Sequence, residues 1–153
     1  MGYVIKVGNA IPHIDKNDIL GWEITNSIDQ DCPTFVGDNN QTNMRAPSYL
    51  VWSAFCKTVD LEEMFYLPAY RDIPKRAKGV IYLTNDSLGL VSNALTEYQT
   101  KAKLPPGFED DEYLMANENS LPRYDGHLAR LIWLAWWIEW ALSNCTMPAL
   151  SIH

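Results

Sequence analysis

The chain has 153 residues, of which 47% are hydrophobic and 20% charged, with a formal net charge of −7. That mix can bury a real core and excludes a disordered chain. The acidic total argues against nucleic acid as the main partner, because such binding is driven by cation–phosphate contacts.

The length suits one globular domain over 1–153, strand-rich in 1–28, with a long acidic loop in 29–46 and mainly helical in 47–145. Charge is uneven along it: residues 1–44 hold six acids and two bases, 104–153 hold seven and two, and 45–103 hold six and eight. Cys32, Cys56 and Cys145 are widely spaced and form no CxxC pair, so neither a disulfide framework nor a zinc site is implied. The opening Met1-Gly-Tyr-Val-Ile-Lys has no charged leader before an apolar stretch. The apolar run Leu131–Ile138 is eight residues long, against about 20 for a membrane span. The expectation is a soluble cytoplasmic protein with no membrane partner.

Tyr3–Val7 and Trp22–Ile28 are rich in β-branched and aromatic residues and read as two strands, with Gly8, Pro12 and Gly21 marking a loop between them. Asp29–Ala46, with Pro33, Gly37 and its Asp and Asn residues, is the clearest loop and longer than most connections. Pro47 suits the first turn of a helix whose Tyr49, Trp52, Phe55, Cys56 and Val59 share one side. Asp60 and Glu63 have capping-box spacing ahead of a short helix at Met64-Phe65-Tyr66. Leu67–Lys78 carries two prolines and four bases and reads as a loop; Val80–Leu83 is a short extended run. Thr84 or Asn85 can cap a helix from Asp86 to Lys103, with Leu88, Val91, Ala94, Leu95 and Tyr98 inward, ended by Pro105-Pro106-Gly107. Phe108–Tyr124 is acidic and irregular. Asp125 is a good N-cap for a last helix over Gly126–Asn144, which Pro148 must follow. The fold expected is α+β: a small N-terminal antiparallel sheet or hairpin packed on three or four helices, with the apolar C-terminal helix central.

That helix carries the strongest pattern in the chain. Trp133, Trp136, Trp137 and Trp140 stand at i, i+3, i+4 and i+7, within about 100° of one another on a helical wheel. Leu131, Leu134, Ile138 and Leu142 form an adjoining face, and Glu139 and Ser143 mark a narrow polar one. A helix apolar over most of its circumference is usually buried by its own domain. The competing reading is an exposed aromatic binding stripe, with Glu139 as a carboxylate of raised pKa beside it.

No GxSxG, HExxH, Walker or GxGxxG motif occurs, so no cofactor is implied. A cysteine–histidine nucleophile could be assembled from Cys56 or Cys145 with His13 or His127, but any chain with these counts allows that. Asp29, Asp31 and Asp38 fail the EF-hand spacing, as does the Glu109-Asp110-Asp111-Glu112 run, so both read as solvated acidic segments and no metal is implied. The bases of Arg71–Lys78 more plausibly answer acidic ends of the same fold or of a second copy. His153 reads as a disordered end.

By elimination, the chain reads as a protein that binds another protein with a basic surface, as inhibitors, immunity partners and phage or host-defence accessories do. In that reading Asp29, Asp31, Asp38 and Glu109, Asp110, Asp111, Glu112 steer the partner and exposed tryptophans anchor it. The alternatives are a small-molecule binder or enzyme with a Trp-lined pocket and a single carboxylate, and a homo-oligomer subunit paired through leftover apolar surface.

Overall fold

The computed structural model describes residues 1–14, 16–17, 20–35, 38–66, 80–101 and 125–153. Strand β1, Ile5–Ile14, passes straight through Gly8 and Pro12, which the sequence marks as loop residues. Pairing parity explains why Pro12 is tolerated. Val7 donates its N–H toward Asn43, whereas Ala10 donates to Met147, so even positions of β1 face the flank of strand β5, Pro148–Ile152. Pairing with β5 stops at Asn9↔Pro148, and the N–H that Pro12 lacks would have had no strand to meet.

β2, Leu20–Ile24, pairs with the far half of β1, and β3, Met44–Arg45, with Ile5 and Lys6 at its near end. β4, Val80–Tyr82, lies outside β5. The sheet is antiparallel throughout, in the order β2-β1-β5-β4 with β3 alongside β1. The sheet therefore draws on the middle and the C-terminal part of the chain, not on the N-terminal segment alone. His153 is held by reciprocal backbone bonds with Val4 of 2.7 and 3.2 Å, which corrects the expectation of a disordered end.

Between β2 and β3 the ladder is completed by one side chain. Asn43 is fully buried; its amide donates to the carbonyls of Val7 (2.8 Å) and Thr25 (2.9 Å) and its oxygen accepts from the Ser27 N–H (2.7 Å). Asn43→Ala would remove the partner of three backbone groups, that of Val7 fully buried, and the expected loss is about 2–3 kcal/mol of unfolding free energy, read from urea titration. Asn43→Asp, which keeps the acceptor but not the donors, should recover little of it.

Helix α1, Tyr49–Thr58, begins two residues after Pro47, which lies outside its first turn: Ser48 is the cap, its hydroxyl accepting from Val51, while the Pro47 carbonyl takes the Tyr3 N–H. Val51, Trp52, Phe55, Cys56 and Val59 are buried, whereas Tyr49 stacks edge-on against Tyr3 and is partly exposed. Asp60 does not cap helix α2, Glu62–Tyr66. It takes a left-handed conformation (φ 58°) and turns the chain so that Leu61 N–H bonds the Cys56 carbonyl, closing α1. Helix α3, Asn85–Lys101, is capped by Thr84, whose hydroxyl accepts from Asp86 and Ser87 while Ser87 answers the Thr84 N–H. Helix α4, Gly126–Asn144, starts at Asp125 as expected, the carboxylate accepting from Leu128.

α4 packs on both α3 and the sheet. Leu131, Leu134, Ile138, Trp133 and Trp137 of α4 meet Ile5, Val7, Ile81 and Leu150 from the strands and Trp52, Phe55, Val91 and Tyr98 from α1 and α3. The opposite face of the sheet has a second, smaller core. There Ala10, Ile24, Val80 and Ala149 are buried beneath Trp22, which crosses to Tyr82 (centroids 6.3 Å apart). Small residues at positions 8, 10 and 149 leave room for those rings; a Cβ on Gly8 would stand 3.0 Å from Ile24. No helix among the described residues is long and apolar enough to cross a membrane.

Candidate interaction surface

The tryptophan stripe divides lengthwise. Trp133 and Trp137, one turn apart, are buried, while Trp136 and Trp140 are half-buried at the margin, packed edge-on against Trp137 at 4.8 and 5.1 Å. Glu139 is exposed on the outer face of α4. The stripe is thus mainly core, and its carboxylate neighbour lies in solvent rather than in an indole-lined enclosure.

What the two buried indoles support is the loop that precedes β3. Trp133 donates its ring N–H to the Thr42 carbonyl at 2.8 Å, and the Arg45 guanidinium lies over the same ring, 5.2 Å from its centroid. Arg45 is buried and reaches back to Asp38, forming an ion pair of 2.5 Å whose two side chains are almost wholly enclosed. Trp137 lies against the buried Cys32. Burial pushes the Cys32 thiol up to about 11, the neighbouring indole N–H and Arg45 opposing that rise, so Cys32 packs as a small neutral side chain.

The loop is also cross-linked to itself. Asp29 accepts from the Asp31 N–H (2.9 Å), an Asx turn, and Asp38 accepts from Asn40 (3.0 Å). Gln41 donates to the carbonyls of Gln30 and Cys32, both at 2.9 Å, and Asn40 to that of Met44 at 2.9 Å. Backbone bridges join Ile28 to Thr42 and Phe35 to Asp38. A segment that reads as a solvated acidic loop is in its described part a fixed structure, with one aspartate spent on an internal ion pair. Asp31 is exposed and Asp29 half-buried.

Two large apolar side chains emerge at the base of this loop. Ile28 is 73% exposed and Met44 37%; Ile28 bridges Thr42, two residues before Met44, and the Thr42 hydroxyl bonds the Met44 carbonyl. The outer surface therefore combines an isoleucine, a methionine and acidic groups on a held backbone.

A second polar group is buried beneath α1, at the start of α4. Tyr98 donates its hydroxyl to both oxygens of Asp125 at 2.9 Å, holding the cap carboxylate. His127 and Arg130 are buried one turn apart, with their ring and guanidinium nitrogens 3.5 Å from one another and Phe55 beside both. Burial, then the bond to Asp125, raises the Tyr98 phenol above its ordinary range. Burial likewise pushes up the Cys56 thiol, followed by the nearby Glu62 charge. A nucleophilic cysteine needs the opposite shift, so Cys56 has no electrostatic support for that role. The helical spacing of His127 and Arg130 within an apolar helix was the available sign that these two polar residues turn inward.

Glu109, Asp110, Asp111 and Glu112, the bases of Arg71–Lys78, and Ala102 and Lys103, where the expected third helix ends, lie outside the described residues. Among the described residues no group of three or more His, Cys, Asp or Glu side chains could hold a metal ion. Comparison with protein-family models, curated proteins and solved structures yields no match for the chain.

Proposed function

We propose that the protein acts by binding another protein, one with a basic surface, through the outer face of the loop between Ile28 and Met44. The observation that carries this reading is Ile28, 73% exposed, three positions before the exposed Asp31 in a segment pinned from beneath by Trp133 and Arg45. A partner that covers this isoleucine gains the free energy of removing its apolar area from water. A loop already fixed loses little conformational freedom on association. The net charge of −7 speeds encounter with a basic surface and sets a salt dependence on the rate. Such a role fits the inhibitor, immunity or host-defence accessory class. In this reading the apolar anchors are Ile28 and Met44, and the tryptophans are their foundation. The Trp-lined catalytic or small-molecule pocket has less support, because Glu139 stands in solvent and two of the four rings are closed off.

The test is affinity capture from the native host followed by mass spectrometry, run in parallel on wild type, Ile28→Asp, Asp31→Lys and a Glu139→Lys control. A basic protein should be recovered by wild type and the control. Each loop variant should weaken its capture at least about tenfold, and added salt should weaken the wild-type complex. Equal recovery of that partner by all four proteins would remove the loop from the interface.

A further inference from the structure

Among the described residues the sheet ends on one side at β2, and the pairing register fixes what it presents there. Odd positions of β1 face this flank, so Ile11↔Glu23 and His13↔Gly21 are the bonded pairs and the N–H and C=O groups of Leu20, Trp22 and Ile24 point away from β1. Among the described residues, no hydrogen bond reaches the backbone groups of Trp22 or Ile24. Natural edges are usually blunted by proline, a bulge or several charges. β2, Leu-Gly-Trp-Glu-Ile, has one charge and no proline.

We propose that this edge pairs antiparallel with β2 of a second copy of the chain, about a twofold axis through Trp22, continuing the sheet across both molecules. The segment is self-complementary in that register. Trp22 exchanges both backbone bonds with Trp22 of the second copy, and Leu20 exchanges both with Ile24 of the second copy, which uses every outward-pointing group of the strand. Glu23 then lies opposite Gly21 of the second copy. A shift of the axis by one residue toward Glu23 would set that carboxylate against its own counterpart, and a shift toward Gly21 would carry Ile24 past the end of β2, so both alternatives are disfavoured. Side-chain rows agree with the chosen register. Ile14 is 65% exposed and pairs with position 20 of β2; across the axis that row continues to positions 24 and 10 of the second copy, both apolar. Ala10 and Ile24 are already buried within each copy, so the pairing extends their apolar row across the axis. Opposing this is the mutual repulsion of two chains of charge −7 each, so association should tighten as salt rises. That is the reverse of the salt response expected for the basic partner at the loop.

Gly21 offers a direct test, because a Cβ built there meets only the His13 carbonyl at 3.7 Å, an ordinary contact. Gly21→Glu would place a carboxylate opposite Glu23 twice per interface, and Gly21→Lys would place an ammonium there. Sedimentation equilibrium across a concentration series should give a wild-type dimer that tightens with salt. The lysine variant should bind itself about fivefold more tightly than wild type and the glutamate variant about fivefold more weakly. Amide hydrogen exchange at Trp22 and Ile24 should slow as protein concentration is raised. A strict monomer at every concentration overturns the proposal. So does a dimer indifferent to both charges at position 21, or one whose Trp22 and Ile24 amides exchange at a constant rate.

Discussion

Replacing Trp137 with alanine is expected to remove about 3–5 kcal/mol of unfolding free energy, the range for truncating a large aromatic in a closed core. Trp137 is fully buried where α4, the sheet and the loop meet, so its truncation opens a cavity the size of an indole. A domain of this size is held by roughly 5–15 kcal/mol in all, so the variant should sit near its folding threshold. Trp140→Ala, at the half-buried margin of the same helix, should cost less than half as much. Urea titrations of both variants measure the difference. A second readout follows from the contact with Cys32. With the indole gone, the buried thiol should react with a disulfide reagent faster than in wild type while the protein is still folded. Equal losses for the two tryptophans would mean that the stripe does not divide into an inner and an outer half.

That division shows where sequence reading stops. The apolar run, the Asp125 cap and the 3.6-residue spacing were enough to place α4 and to favour burial of its stripe. They were not enough to say which indoles turn inward, because that depends on where α3 and the sheet lie around the helix. The sequence predicts a strand ending at Val7 because Gly8 and Pro12 are breakers in most settings; whether a proline breaks a strand depends on which flank its missing N–H would face, and the flank is known only once β5 is in place. β5 itself carries only Leu150 and Ile152 on its inner face, too few for alternation to register. Asn43 was unreadable for another reason: one of its bonding partners, Val7, is 36 positions away, so no local window contains the ladder it completes. Arg45 did leave a sign. It is the only lysine or arginine in residues 29–46, a stretch that holds three aspartates, and a lone cation among acids is a reason to look for a pair. The surface proposed for binding was legible as acidic composition; its apolar element, Ile28, was read as the tail of a strand.

Asp38→Asn is expected to cost about 3–5 kcal/mol, comparable with the loss of Trp137, although it changes hardly any volume. The side chains of Asp38 and Arg45 are buried together, and removing one charge of such a pair leaves the other enclosed in a medium that solvates it poorly. Asparagine can still accept from the Asn40 N–H, as Asp38 does at 3.0 Å, but it turns an amide instead of a carboxylate oxygen toward the guanidinium or gives up that backbone bond. The charge is what is lost. A double variant, Asp38→Leu with Arg45→Met, should therefore be much closer to wild type than Asp38→Asn alone, since a well-packed apolar pair replaces a buried ion pair at little net cost. Urea titration of wild type, Asp38→Leu, Arg45→Met and the double variant gives the coupling between the two sites. A coupling below about 1 kcal/mol would place the pair among ordinary surface contacts and deny it the role of fastening the loop. The same variants separate presentation from contact in the proposed binding role. Neither position carries the exposed side chains at Ile28 and Asp31, so a partner lost on Asp38→Asn and regained with the double variant would have been reading the loop's fixed shape. A partner indifferent to both would be reading only its outward groups.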